Sequence, residues 1–465
     1  MSFSTKLVDA FGKVLDSTPY TALDPVVKIN YIQKGNNVIF GSPLRHSTPK
    51  NLIYVGKVLE SAQGKNLLGA DTWIDVGFPH VIYITGTRGS GKSFDLGVLI
   101  EGLSALSEDS NIRLEIEPVT TILVDMQSQF WTLRYAPRVE VEQNRKQLSE
   151  LKDWNINPNA LSKCEIFVPD KAQRFLGNER PLRIKPRDTP QEDWCRILGQ
   201  PIYSPQGHVI GETLRHLIGQ EYSLEDMLGY ISNGRNFPNI PDASRSAIQY
   251  RLAEYQESGL FHKDGLDIID LLKPGQCNVL MLRELRDEDK SLVTALIARK
   301  LFVHMGEHHK QRKITTFFNK KGPDSDIPNR VWLLVDEAHV VAPKDIDSPA
   351  REALVEYVKR GRDAGLSLVL ATQQPSAVDD RILSQVNLSF NHRLTFQSDI
   401  NAAVARVPTK TLGGLKVSGT QLSDFGDMLR LLETGECFIG DHSTSRTMMV
   451  RVRPRITAHG GYSPI

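Results

Sequence analysis

The chain has 465 residues, 40% of them apolar and 24% charged, with a formal net charge of +1. That length is too great for one ordinary domain, and the composition is that of a globular protein rather than a disordered or fibrous one. A charge so close to neutral argues against holding nucleic acid by a broadly basic surface, but it allows a narrow, locally basic channel.

In chain order, the first 19 residues place Leu7, Phe11, Val14 and Leu15 on one helical face. They lack the continuous apolar core of a signal peptide. A short amphipathic helix, packed on its own domain or a neighbouring subunit, is expected. It leads a small β-rich N-terminal module, residues 1–75, with strand-like runs "VVKINYI", "NNVIF", "IYVGKVLE" and "TWIDV". Beyond it the runs "VIYIT", "TTILVDM", "NVLMLREL", "VWLLVDEAH" and "LSLVLATQ" are apolar throughout. Such runs suit strands buried on both faces of a parallel sheet. Helical stretches are expected over 93–107, 288–310, 349–364 and 375–386. The class is therefore α/β, an open parallel-sheet core whose two parts span 76–134 and 276–465. Residues 135–275 interrupt it. "SLEDMLGYIS", opened by a serine cap, and "ASRSAIQYRLAEYQESGLF" read as helices, so the segment is expected to be a mainly helical insertion. A polar loop follows at 319–329.

Cys164, Cys195, Cys277 and Cys437 show no C-x-x-C spacing, so a zinc site is not expected and a reduced, cytoplasmic setting is the simplest reading. No apolar run approaches the roughly 18 residues of a membrane span, and no membrane partner is expected.

The chemistry concentrates where the run at 81 breaks into Gly86-Thr-Arg-Gly-Ser-Gly91-Lys92-Ser93, which matches G-x-x-x-x-G-K-[ST]. Glycines let the backbone wrap an anion with its N–H groups turned inward, and the helix that follows adds partial positive charge. Lys92 reaches the β and γ phosphates and the Ser93 hydroxyl can ligate Mg²⁺. The nucleotide-binding set is Gly86, Arg88, Gly89, Ser90, Gly91, Lys92, Ser93 and Phe94, with ATP and Mg²⁺ as the expected ligands. A plain glycine-rich strand–helix turn is the bland alternative. A P-loop needs a second acid, and "VWLLVDEAH" supplies Asp336 for the Mg²⁺ shell and Glu337 as general base for water. The competing reading is a pair of acids capping a strand. Gln373, at the end of the next strand, can sense the γ-phosphate or orient the water, or is simply a polar strand terminus. Between these strands Lys359, Arg360 and Arg362 crowd a helix C-terminus. They either complement the helix dipole or project an arginine into a neighbouring subunit's ATP. The second reading requires a ring and favours Arg362.

With these pieces assembled, the chain resembles the HerA-type P-loop ATPases of the HerA/FtsK group. "PHVIYITGTRGSGKSFDLGVLIEGL", "LLVDEAHVVAPK", "VKRGRDAGLSLVLATQQPSAVDDRILSQVN" and "LLETGECFIGD" match in order and spacing, over roughly 75–130 and 205–455. The resemblance implies a RecA/FtsK-like P-loop NTPase core. Lys92 and Ser93 would bind nucleotide, Asp336 and Glu337 form the Walker B pair, Gln373 act as sensor and Arg362 act in trans. It further implies a homohexameric ring with a central channel, ATP-driven translocation on double-stranded DNA, and a partner nuclease or other effector. After "ILVD" the family often has Gly-Glu. This chain has Met126-Gln127-Ser128-Gln129, which removes the acid that a role in metal or water positioning would use. Basic candidates for DNA contact are "HHKQRK" at 308–313 and Lys320-Lys321, against the reading of a solvated charged face. The leading function is an ATP-hydrolysing ring translocase in DNA processing or antiviral defence. The alternative is an ATP-regulated ring that assembles and controls an effector with little net movement. A protein-secretion ATPase of the same superfamily is the third.

Overall fold

The computed structural model describes residues 37–41, 50–62, 65–172, 174–320, 327–408, 415–417, 420–422 and 424–460. The expected N-terminal helix, the "VVKINYI" run and Lys321 lie outside the described residues.

Strands β1 (Asn37–Phe40), β2 (Leu52–Ala62) and β3 (Lys65–Asp75) precede β4 (Val81–Thr85). Then come β5 (Arg113–Leu114), β6 (Thr120–Asp125), β7 (Cys164–Pro169), β8 (Arg180–Leu182), β9 (Cys277–Met281), β10 (Val331–Val335), β11 (Leu366–Thr372) and β12 (Leu388–Asn391). β13 (Leu415–Val417) and β14 (Thr420–Leu422) pair only with each other among the described residues, and β15 (Glu436–Asp441) and β16 (Arg446–Val452) come last. The main sheet runs β1-β3-β2-β16-β15-β12-β4-β11-β10-β6-β9-β7-β8, with β5 beside β2. From β12 to β8 every pairing is parallel. From β12 to β3 every pairing is antiparallel.

The parallel strands are covered on both faces, which is why they read as unbroken apolar runs. Side chains alternate between the faces. Tyr83, Val124, Leu333, Val335, Leu368 and Leu370 enter one core. Ile82, Ile84, Leu123, Trp332, Leu334 and Val369 enter the other. Helix α1 (Lys92–Leu103) seals the second core with Leu96, Leu99 and Ile100. α2 (Glu142–Asp153), mostly polar, lies nearer the surface.

The first core is closed by α3 (Gln191–Ile197), α4 (Pro205–His216), α5 (Leu224–Ser232), α6 (Asp242–Ser258), α7 (Asp287–Phe317) and α8 (Pro349–Arg360). α5 carries the expected serine cap. Ser223 accepts the Asp226 N–H while Asp226 accepts the Ser223 N–H, a reciprocal capping box. α6 stops at Gly259, which has φ 71°.

Two expectations are corrected. The segment 135–275 is not only an insertion, because its run "CEIFVP" is β7, which joins the parallel sheet beside β9, with β8 next to it. The helices that bulge from the core begin after β8. In the expected N-terminal module, β2 pairs with β16 and so prolongs the sheet. Finally, 375–386 is not one helix. A 3-10 turn at Pro375–Ala377 gives way to extended Val378, and Asp379 caps a single turn, Asp380–Leu383. All four cysteines are buried and free, and among the described residues no helix is long and apolar enough to cross a membrane.

A candidate nucleotide site on four strand tips

The order β6-β10-β11-β4 brings four C-terminal strand ends side by side. Ligands of open α/β sheets bind at this edge. β4 runs into the Gly86–Ser93 loop and α1. In the loop, Gly91 has φ 131°, and a Cβ there would sit 3.0 Å from the His392 ring. Close packing and backbone conformation therefore both demand glycine at that position. His392, fully buried, bonds Asp95 Oδ2 at 2.7 Å and the Glu436 carbonyl at 2.9 Å. Asp95, His392 and Cys437 bring their donor atoms within 4.8 Å of one another. Both imidazole nitrogens are already engaged, so the group braces the loop from below rather than offering metal ligands.

Arg88 and Gly89 are exposed at the loop's crest. Ser90 is buried, and its Oγ donates to the Thr87 carbonyl at 2.8 Å. Its side chain thus shapes the loop. Lys92 Nζ donates to the same carbonyl at 2.9 Å. Burial pulls the Lys92 pKa down, and the nearby Glu337 and Asp336 oppose that.

The β6–β10 register aligns Val124 with Val335, so the next residues, Asp125 and Asp336, stand together. Asp336 is 1% exposed. Burial, Glu337 and Asp125 push its carboxyl up to about 8. Asp336 Oδ1 accepts the Glu337 N–H at 3.1 Å, and its buried Oδ2 has no hydrogen-bond partner among the described residues. Asp125 accepts the N–H groups of Gln127 and Phe130 at 3.1 and 2.9 Å, and burial raises it to about 6. An orphaned carboxylate oxygen on Asp336 and a hydroxyl on Ser93 are oxygen donors of the kind that suits Mg²⁺. Ser93 and Asp336 thus fit the ion, and a divalent charge there would favour the ionised carboxylate.

Glu337 adopts φ 49°, ψ 53°, a strained conformation for a non-glycine residue that often marks functional positions. Its Oε1 accepts from Gln127 Nε2 at 3.0 Å and from Gln373 Nε2. Its Oε2 lies 3.5 Å from His339 Nδ1, which also contacts Thr372 Oγ1 at 3.1 Å. Burial holds the His339 ring below its ordinary pKa. Gln129 Nε2 reaches Ser93 Oγ at 3.4 Å.

Lys92, Ser93, Asp336, Glu337 and Gln373 are therefore brought together. Gln127, Gln129 and His339 join them without having been expected to. The "MQSQ" segment, which lacks the family's acid, is in contact with the site through its two glutamines. A cleft of about 870 Å³ opens from Lys92 and Glu337 past Phe94 to α2 and the last described residues.

Arg362 is not part of this cluster. It sits on the 3-10 turn Gly361–Ala364 that leads into β11, at the opposite edge of the sheet, roughly 20 Å away by the rise of that strand. Arg360 pairs with Glu356 at 3.0 Å. Arg362 is exposed and has no ion pair among the described residues. Of the basic candidates, Lys310, Arg312 and Lys313 are exposed near the end of α7, beside the exposed Phe317.

The family model of the HerA helicase central domain matches residues 53–301, from β2 into α7. Curated relatives include the DNA double-strand break repair helicases HerA of Sulfolobus acidocaldarius and of Sulfurisphaera tokodaii. The first is 28% identical over 174 residues, which is 37% of this chain and 30% of that protein. The second is 24% identical over 186 residues, 40% of this chain and 33% of that protein. The matched stretches thus span about a third of the relatives' length. Among solved structures, VirB4 of Thermoanaerobacter pseudethanolicus is 12% identical with a TM-score of 0.49, covering 86% of this chain and 96% of that one. The plasmid coupling protein TrwB in complex with ADP and Mg²⁺ is 12% identical with a TM-score of 0.49, covering 89% and 97%.

Proposed function

The chain belongs to the family of the HerA helicase central domain, and from that premise we propose that it is an Mg²⁺-dependent ATPase that assembles as a ring, a homohexamer, and moves on double-stranded DNA. The observation that carries the reading is the alignment of Lys92, Asp336, Glu337 and Gln373 on adjacent strand tips, with the Glu337 carboxylate held by two amides. Loop N–H groups and Lys92 bind and orient the triphosphate. Ser93 and Asp336 would hold Mg²⁺, which would supply neutralisation of the phosphate charge. Glu337, fixed by Gln127 and Gln373, accepts a proton from the water that attacks the γ-phosphorus. The exposed Arg362, remote from its own site, is suited to a neighbour's phosphates. The relatives' name, DNA double-strand break repair helicase, supports work at DNA breaks; a separate nuclease or other effector, in repair or in antiviral defence, completes the proposal.

ATP hydrolysis by the purified protein, with and without linear duplex DNA and with Glu337→Ala as control, tests this. DNA is expected to raise the rate several-fold, and the variant is expected to lose at least 10³-fold. Wild-type hydrolysis that ignores DNA would replace the motor by an ATP-regulated scaffold that controls its effector. Activity surviving in Glu337→Ala would remove the proposed base.

A further inference from the structure

At the sheet edge opposite the candidate nucleotide cleft, two of the four free cysteines face each other. In the parallel pairing of β7 with β9, Cys164 stands directly opposite Cys277. Both side chains enter the core sealed by α1, so the two thiols lie on the same face of the sheet. The row continues on β6, where Thr121 is opposite Cys277. Ser104, which ends α1, closes it with its Oγ 3.0 Å from Thr121 Oγ1. Cys277 is fully buried and Cys164 is 8% exposed. The other two cysteines are placed differently. Cys195 lies in the other core, and Cys437 is opposite Val450.

We propose that Cys164 and Cys277 form a redox modification site. A peroxide converts the dithiol to a disulfide that staples residues 165–276 to the sheet, and a small thiol reverses it. Neighbouring strands lie about 4.8 Å apart. A disulfide spans Cα atoms about 4.4–6.8 Å apart and prefers Cβ atoms about 3.5–4.5 Å apart. Directly opposed residues on parallel strands satisfy the first range. They slightly exceed the second, because their side chains stand roughly perpendicular to the sheet. The bond therefore closes only by drawing the two strands together, and a bond held in that way is labile rather than permanent.

The surroundings also favour reaction. Hydrogen bonding from Cys164, and then from Thr121 and Ser104, draws the Cys277 thiol below its ordinary pKa in spite of burial. Thiolate character is what peroxide attack requires. The Cys277 sulfur attacks one peroxide oxygen, the O–O bond breaks, and the hydroxide released takes up the Cys277 proton as water. The Cys164 sulfur then attacks the sulfenic acid sulfur. The S–S bond forms, the S–O bond breaks, and the departing hydroxide takes the Cys164 proton to give a second water. The two sulfurs together lose two electrons and the peroxide gains them. The loop so closed contains β8 and helices α3 to α6. The constraint acts on the unfolded chain, and it is stronger for a long loop than for a short one.

Treatment of the full chain with a small excess of hydrogen peroxide tests the site. Remaining thiols are blocked, and the digest is mapped by mass spectrometry without reduction. A Cys164–Cys277 peptide pair is expected, two hydrogens lighter than its reduced parts, with Cys195 and Cys437 still free and with dithiothreitol restoring both thiols. The oxidised protein is expected to unfold a few degrees above the reduced protein, and Cys164→Ser is expected to show no such shift with peroxide. Absence of the cross-link in the folded wild type, preferred cross-linking to Cys195 or Cys437, oxidation of Cys164 to sulfinic acid without a cross-link, or equal unfolding temperatures of the two forms would each overturn the proposal. The mapping uses wild type alone and stands even if the serine variant fails to fold.

Discussion

At the scale of single residues, the site depends on how one carboxylate is held. Glu337 sits in a left-handed conformation that the packed strand end must maintain, and amides from two different strand ends converge on its Oε1. A carboxylate fixed in this way, acting as the proposed base, would be presented to water in one geometry, which is what positioning contributes to a rate. Gln127→Ala and Gln373→Ala are each expected to lower kcat about tenfold with KM little changed, measured by steady-state ATP hydrolysis. Because both amides act on the same oxygen, the double variant is expected to lose less than the product of the single losses. A full multiplicative loss would assign the amides separate roles. Glu337, Gln373 and Lys92 were legible in the sequence because each stands at a fixed offset from an apolar run. Gln127 and Gln129 were not, since nothing local tells a glutamine facing a carboxylate from one facing solvent.

At the scale of elements, α1 does more than end the loop. Its polar anomaly, Glu101 within an apolar helix, is neutralised by Arg453 and Arg455. Burying three charges is costly, and removing one leaves the others without compensation. Glu101→Leu is therefore expected to destabilise the protein by about 3–5 kcal/mol in chemical denaturation. Replacing all three by apolar residues of similar volume is expected to recover most of that. If the single change costs nothing, the chain after β16 is not anchored through this carboxylate. The element pattern shows equally where sequence reading works. The runs forming β4, β6, β9, β10 and β11 announced themselves because burial on both faces demands apolar side chains throughout. β7 was missed within a polar, proline-rich segment. A helix at 375–386 was expected where Asp379 and the extended Val378 break the chain into two short turns.

At the scale of the whole molecule, the two edges of the parallel sheet carry different chemistry. The C-terminal tips hold the candidate nucleotide cleft. The opposite edge exposes Arg362 and the basic, aromatic end of α7. An arginine roughly a strand's length from its own site acts on phosphate only if a second copy brings its cleft to it. Arg362→Ala and Lys92→Ala proteins are each expected to be inactive alone. Mixed, they are expected to regain a measurable fraction of wild-type ATP hydrolysis, because some interfaces then pair an intact loop with an intact arginine. No recovery on mixing would take Arg362 out of the neighbour's site. The sequence alone determined the P-loop, the acidic pair and the α/β class, because these are short-range properties: a backbone conformation that needs glycine, and strands that need apolar residues. Only the tertiary structure decided which distant residues share a site. The pairing of Asp125 with Asp336 follows from the β6–β10 register. The anchoring of the chain after β16 on α1 follows from a carboxylate meeting arginines more than three hundred residues further along the chain. Such contacts are set by how the sheet orders its strands, and no local pattern of residues records that order.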